Sequence, residues 1–282
     1  MASDLASSLL DTGPPLPWWQ RLVRGQDRLI HLAPLAAVLL FLAAIATAFW
    51  YLRLEEVHRE QEAVKRDVEY SQQHLRLRLL ERQEQFMRLA RDISDRDMSP
   101  MQFDIRAESL VLQYPELMAL SWIDDQRRLM ATQTSPSVPR QRAWVADGQL
   151  KRGEVLEGFD LARDLRQPVY TQPLSEKGVE PVLYMHVPIT PRAHFAGELL
   201  AEFSVDGLLR YGVPAEVLAK YAVALFDGKD QLLAGQSIPE RPGLSDRLPW
   251  SGKVNEFDIP VSPVGNGLVL RAQAWRTSQG VV

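Results

Sequence analysis

Residues 32–52, LAPLAAVLLFLAAIATAFWYL, carry no charge and are followed at once by Arg53, Glu55 and Glu56. About 20 consecutive apolar residues suffice to cross a bilayer as a helix. An isolated span must be helical, because in hydrocarbon only a helix satisfies all of its own backbone polar groups. Trp50 and Tyr51 close the stretch, where an aromatic anchor at headgroup depth is expected. Two other readings compete. A cleaved leader would use the small-residue site Ala46-Thr47-Ala48, but a leader has a shorter apolar core and a shorter segment ahead of it. A buried helix of a water-soluble domain would show polar interruptions, which this run lacks. The expected order is a tail over residues 1–30, a transmembrane helix over 31–52, and a long domain beyond it.

Downstream, Trp50, Leu54, Val57, Val64, Val68, Leu75, Leu79, Phe86, Leu89 and Ile93 fall on one stripe of a helix. Neither glycine nor proline interrupts residues 53–98. A long juxtamembrane helix is therefore expected over 53–98, with about 40 residues rising about 60 Å. For its first half the stripe predicts a homodimer through paired long helices. For its second half, pairing and packing on its own domain are equally open. Basic residues lie on both sides of the span, Arg21, Arg24 and Arg28 before it and Arg53, Arg59, Lys65 and Arg66 after it, so their count does not orient the chain.

The bulk numbers narrow the function classes. With 282 residues and 46% hydrophobic content, the chain can bury one or two cores and is not a disordered tail. A net charge of −4 offers no basic surplus for nucleic acid. No cysteine is present, which removes disulfides and thiolate chemistry.

Beyond the long helix, Ser99-Pro100 caps a second helix that Pro115 ends. Residues 117–123 and 128–132 read as a hairpin around Asp124-Asp125-Gln126, and 133–142 as a loop. A short helix over 156–166 precedes two paired strands, 181–189 and 197–205. A smaller version follows: helices at 205–209 and 214–220, a hairpin of 221–226 with 231–234, and closing strands 255–261 and 268–275 around Gly265-Asn266-Gly267. The fold class is α+β, with two unequal modules over 99–204 and 205–276.

The membrane span, the long helix with Leu75-Arg76-Leu77-Arg78-Leu79-Leu80-Glu81-Arg82, the helix end Tyr114-Pro115-Glu116-Leu117 and the strand Trp122-Ile123-Asp124-Asp125 together resemble the extracytoplasmic sensor region of bacterial histidine kinases with tandem PAS-like modules. The segment 161–173, LARDLRQPVYTQP, is similar to the stretch leading to the sheet in that class and in CHASE sensor domains. The resemblance covers residues 30–275 in layout. It implies a cytoplasmic tail, a transmembrane helix continuing into a long helix in the inner membrane, and a membrane-distal PAS-like sensor module followed by a membrane-proximal one. A second span would begin at 277–282, and a cognate response regulator would be reached only through a kinase core outside these residues. A nucleotide cyclase or chemoreceptor output fits the same input.

The chemistry of a kinase is not found here. His58 and His74 on the long helix read as solvated, and the G-x-G at 265–267 opens no helix that could hold phosphate. No P-loop, G-x-S-x-G or H-E-x-x-H occurs. No cofactor is expected and no metal site either, since His186 and His194 have no helical relation. The candidate site comes from strand alternation. Val182, Tyr184 and His186 share one face, and Leu183, Met185 and Val187 the other, with one face expected against helices and the other open to a loop. Tyr184 and His186, with Trp122 and Tyr170, are expected to line a pocket for an unknown small-molecule ligand, with Arg163 or Arg166 meeting a carboxylate. The competing reading makes the aromatics core and the arginines surface. A membrane-anchored enzyme and a ligand-free interaction protein complete the alternatives.

Overall fold

A computed structural model describes residues 18–96, 98–136, 145–146, 148–150, 153–173, 180–238, 256–261, 263 and 267–275. The chain divides into two units, Met1–Arg59 and Glu60–Val282. Helix α1 (Trp18–Arg96) contributes residues to each. In the first unit the described side chains from 34 on are mostly exposed: Leu40 is 72% and Trp50 73% accessible. It contains a window of mean hydropathy 2.3, long and apolar enough to cross a membrane.

The second unit is α+β with two antiparallel sheets. Helix α2 (Pro100–Gln113) starts at Ser99, whose hydroxyl accepts from Gln102 N while the Gln102 side chain accepts from Ser99 N. This reciprocal cap satisfies two backbone donors that the first turn leaves orphaned. Strands β1 (Leu117–Asp124) and β2 (Leu129–Thr134) form the expected hairpin, and Asp124 Oδ1 accepts from Gln126 N and Arg128 N at its turn. A two-stranded ribbon, β3 (Val145–Ala146) with β4 (Gln149–Leu150), has no counterpart in the sequence reading. Helix α3 (Gly153–Leu165) begins three residues earlier than its apolar spacing suggests. Strands β5 (Val169–Tyr170), β6 (Val182–Ile189) and β7 (Gly197–Ser204) complete a five-stranded sheet of order β2-β1-β7-β6-β5.

Helices α4 (Val205–Gly212) and α5 (Ala215–Lys220) lead to the second sheet, in which β8 (Tyr221–Phe226), β9 (Leu232–Gly235), β10 (Glu256–Pro260) and β11 (Val269–Ala274) run in the order β10-β11-β8-β9. Residues 60–96 of α1 touch both sheets in turn. Asp67 accepts from the Tyr221 hydroxyl at 3.0 Å, His74 Nδ1 lies 2.9 Å from Gly212 O, Gln83 accepts from Tyr170, and the Phe86 and Phe203 rings sit 6.2 Å apart. Burial and the Asp67 contact push the Tyr221 phenol up to about 12. Arg82, 6% exposed, meets Glu116 at 3.1 Å and stacks 3.6 Å from the Tyr114 ring, so the two sequence motifs at 75–82 and 114–117 are joined here.

Two expectations change. The stripe over 64–93 is core: Val64, Val68, Leu75, Leu79 and Phe86 are at most 2% exposed, packed on their own unit rather than awaiting a second copy. Both faces of β6 are also covered, because all eight of its residues are buried. His58 and His74 are exposed, as expected. The hairpin tip at 265–266 and the segment 277–282 lie outside the described residues.

Candidate functional site

Antiparallel register sorts the residues of the five-stranded sheet onto two faces. Leu183, Met185 and Val187 point to the side packed by α1, whereas Tyr184 and His186 point to the side covered by α3. Pairing of β6 with β7 and of β7 with β1 brings Glu198, Leu200 and Glu202, then Ser121 and Ile123, to that same α3 side. Ser121 Oγ and Thr132 Oγ1, 2.8 Å apart, extend the polar row to β2. Thr171 closes it just beyond β5, where its N–H donates to Tyr184 O.

The centre of this face is a buried imidazole–carboxyl pair. His186 Nδ1 lies 3.1 Å from each oxygen of Glu198, and both side chains are fully buried. Among the described residues, His186 Nε2 and Thr171 Oγ1 are buried without a partner. Both converge on Gly158 of α3, where a Cβ would overlap the imidazole and lie 2.6 Å from the Thr171 methyl. Glycine at this position lets the helix backbone close over the ring. Burial raises the Glu198 carboxyl pKa; the charge and hydrogen bond of His186 oppose this, and the Asp160 carboxylate adds to it.

A second layer lies on α3. Arg127 donates to both oxygens of Asp160, at 2.8 and 3.0 Å, from a left-handed backbone with φ 64. Arg163 also reaches Asp160, at 2.9 Å. The Arg127 guanidinium lies 5.7 Å from the Phe159 ring, which meets Phe195 edge-on. Aromatic walls with a few convergent charges are the usual make-up of a small-ligand site. Asp160 is held by both arginines, which leaves Glu198 and Glu202 as the buried carboxyl groups on the sheet itself. His186 and Thr171 share no hydrogen bond, so these two do not form a nucleophile–base pair.

The six residues singled out from sequence do not form one cluster. Tyr184 and His186 share the α3 face. Trp122 lies on the opposite face, its ring 6.0 Å from Phe103 of α2. Tyr170 is opposite Met185, so it also faces α1, where its hydroxyl donates to Gln83 at 3.2 Å and burial raises its pKa. Arg163 is bound to Asp160 and to Asp164 on the exposed side of α3. Arg166 follows α3 on the surface, with φ 55. The reason is parity: adjacent positions 121 and 122, or 170 and 171, always point apart in a strand. Sequence reasoning passed over Glu198 and Glu202, although their alternation within GELLAEFS puts two carboxylates on one face of a strand.

No protein-family model matches this sequence, and no curated protein matches it. Solved structures do. The ligand-binding domain of the Pseudomonas aeruginosa PAO1 amino acid chemoreceptor PctB in complex with L-Arg matches with a TM-score of 0.54 at 15% identity, over 80% of this chain and 99% of that one. The ligand-binding domain of Mlp24 with asparagine gives 0.50 at 12% identity, over 78% and 94%. That of the Campylobacter jejuni chemoreceptor Tlp3 with L-norvaline gives 0.50 at 10% identity, over 77% and 91%. At such identities the likeness is one of fold, and the fold is that of chemoreceptor ligand-binding domains.

Proposed function

We propose that this chain is the extracytoplasmic signal-sensing region of a membrane-anchored receptor, and that it binds a small amino-acid-like ligand on the α3 side of its five-stranded sheet. The observation that carries this reading is the buried polar row His186, Glu198 and Thr171, set in a fold shared with chemoreceptor ligand-binding domains. In this reading residues 31–52 span the inner membrane, the bulk of the chain is periplasmic, and 99–204 and 205–276 are the membrane-distal and membrane-proximal PAS-like modules. Tyr184 and His186 are the sequence-derived residues retained at the site, joined by Glu198 and Asp160. The layout of span, long helix and tandem modules supports a histidine-kinase output; the fold of the matched domains supports a chemoreceptor output. A downstream reading frame with a kinase core or with a chemoreceptor signalling helix decides between them.

A ligand signals only if it binds two states with different affinity. The sheet supplies a short route, since the proposed site lies on one face and Leu79, Phe86 and Leu89 of α1 pack into the core on the other. Two copies are proposed to pair through residues 50–57 of α1, where Trp50 and Leu54 are exposed. The test is thermal unfolding of the full chain in nanodiscs against a panel of L-amino acids. A ligand that binds only the folded state raises the midpoint with concentration, and Glu198→Ala should abolish that rise. If no amino acid shifts the midpoint, the amino-acid reading fails.

A further inference from the structure

A cavity lies on the opposite side of the sheet from the polar row. It holds about 370 Å³ between the last turns of α1 and the end of β6. Small-ligand pockets begin at about 300 Å³. The floor is apolar, with Met87 and Ala90 from α1 facing Val187 and Pro188 from β6. The rim is charged, with Arg91, Asp95 and Arg166. This rim interrupts a face of the sheet that is otherwise hydrophobic.

Arg166 stands out on that rim. Its backbone is left-handed, φ 55, and its N–H donates to Ala162 O, so it closes the end of α3 where a glycine would be the relaxed choice. Holding a non-glycine residue there costs stability, and such strain collects at functional sites. Among the described residues its guanidinium forms no ion pair. Arg91, by contrast, is shared with Glu84 at 3.3 Å. Asp95 accepts from Ser94 at 3.3 Å on the rim.

We infer that this cleft binds a small monocarboxylate with an aliphatic tail, at a site separate from the one on the α3 face. Arg166 takes the carboxylate as a two-pronged donor, with Arg91 beside it, and the tail lies on Met87, Ala90 and Val187. Asp95 repels a second carboxylate, which selects against dicarboxylates.

Titration of the full chain in nanodiscs with butyrate, followed by ligand-observed NMR, tests the assignment. Butyrate should bind saturably, while butanamide, which lacks the charge, and succinate, which carries two, should bind at least tenfold more weakly. Arg166→Gln should weaken butyrate at least tenfold with the unfolding midpoint retained. Ser94→Trp, at a half-buried position lining the cleft, should block butyrate by filling it. Absence of saturable butyrate binding, equal binding of butanamide, or binding unchanged in both variants overturns the inference. Glu198→Ala should leave butyrate binding unaltered, and its loss there would place the ligand on the other face.

Discussion

The two faces of the five-stranded sheet are built from alternate residues of the same strands and are chemically opposite. Toward α1 stand Leu117, Leu120, Leu183, Met185, Val187, Leu199, Ala201 and Phe203, all buried and all apolar. Toward α3 stand Ser121, His186, Glu198 and Glu202, buried to a similar degree among Ile123, Tyr184 and Leu200. Apolar burial stabilises by about 25 cal/mol per Å² removed from water. A buried charged pair recovers little more than its desolvation cost. The apolar rows on both faces therefore account for stability, and the polar row on the α3 face adds little. In the proposed reading these groups stay buried where they meet a ligand.

The contrast breaks if the polar face turns out to hold the fold together. The largest effect should come from the apolar side: Phe203→Ala leaves a cavity beside Phe86 and should cost about 3–5 kcal/mol in urea unfolding. On the polar side, replacing both members of the pair, His186→Leu with Glu198→Leu, should be neutral or stabilising by about 1–4 kcal/mol while the amino-acid-dependent rise in unfolding midpoint disappears. A double variant that unfolds would mean the pair is structural. Gly158→Ala sharpens the same point. Its methyl group must push α3 off the His186 ring, and overpacking of this kind should cost about 1–3 kcal/mol by thermal unfolding. A midpoint unchanged from that of the unmodified chain would show that the helix sits more loosely over the ring.

Much of this architecture was legible in the residues. Ser99-Pro100 fixed the start of α2 by cap chemistry, and Asp124 and Asp227 marked hairpin turns by accepting from the backbone two and four residues on. The alternation in 182–187 correctly separated Tyr184 and His186 from Leu183, Met185 and Val187. The site was less legible because it is an intersection of strands distant in sequence. His186 meets Glu198 only after β6 and β7 pair, and Trp122 was misplaced because the neighbour of a correct strand residue points to the other face. The stripe over 64–93 carried the same ambiguity. Periodicity shows that a helix has an apolar face, and only the sheets that cover it show whether the partner is its own chain.

The smallest expected effect is a slope. Burial raises the Glu198 carboxyl pKa above its ordinary value of 4.5, so the folded chain holds a proton there more tightly than the unfolded chain does. Such a group contributes its stabilisation in full below pH 4.5 and loses it as pH climbs through the folded-state value. Glu198→Gln keeps an acceptor for His186 and removes the titration. Relative to the unmodified chain, the variant should therefore gain stability as pH rises above 4.5, read as the difference between urea midpoints over about pH 4 to pH 8. Leu183→Val removes no titrating group, so its cost, that of a small cavity, should shift the midpoints by the same amount at every pH. A pH-dependent difference that survives in Glu198→Gln would assign the proton to another acid on the α3 side, with Asp160 the first to substitute, because its carboxylate already bears on Glu198.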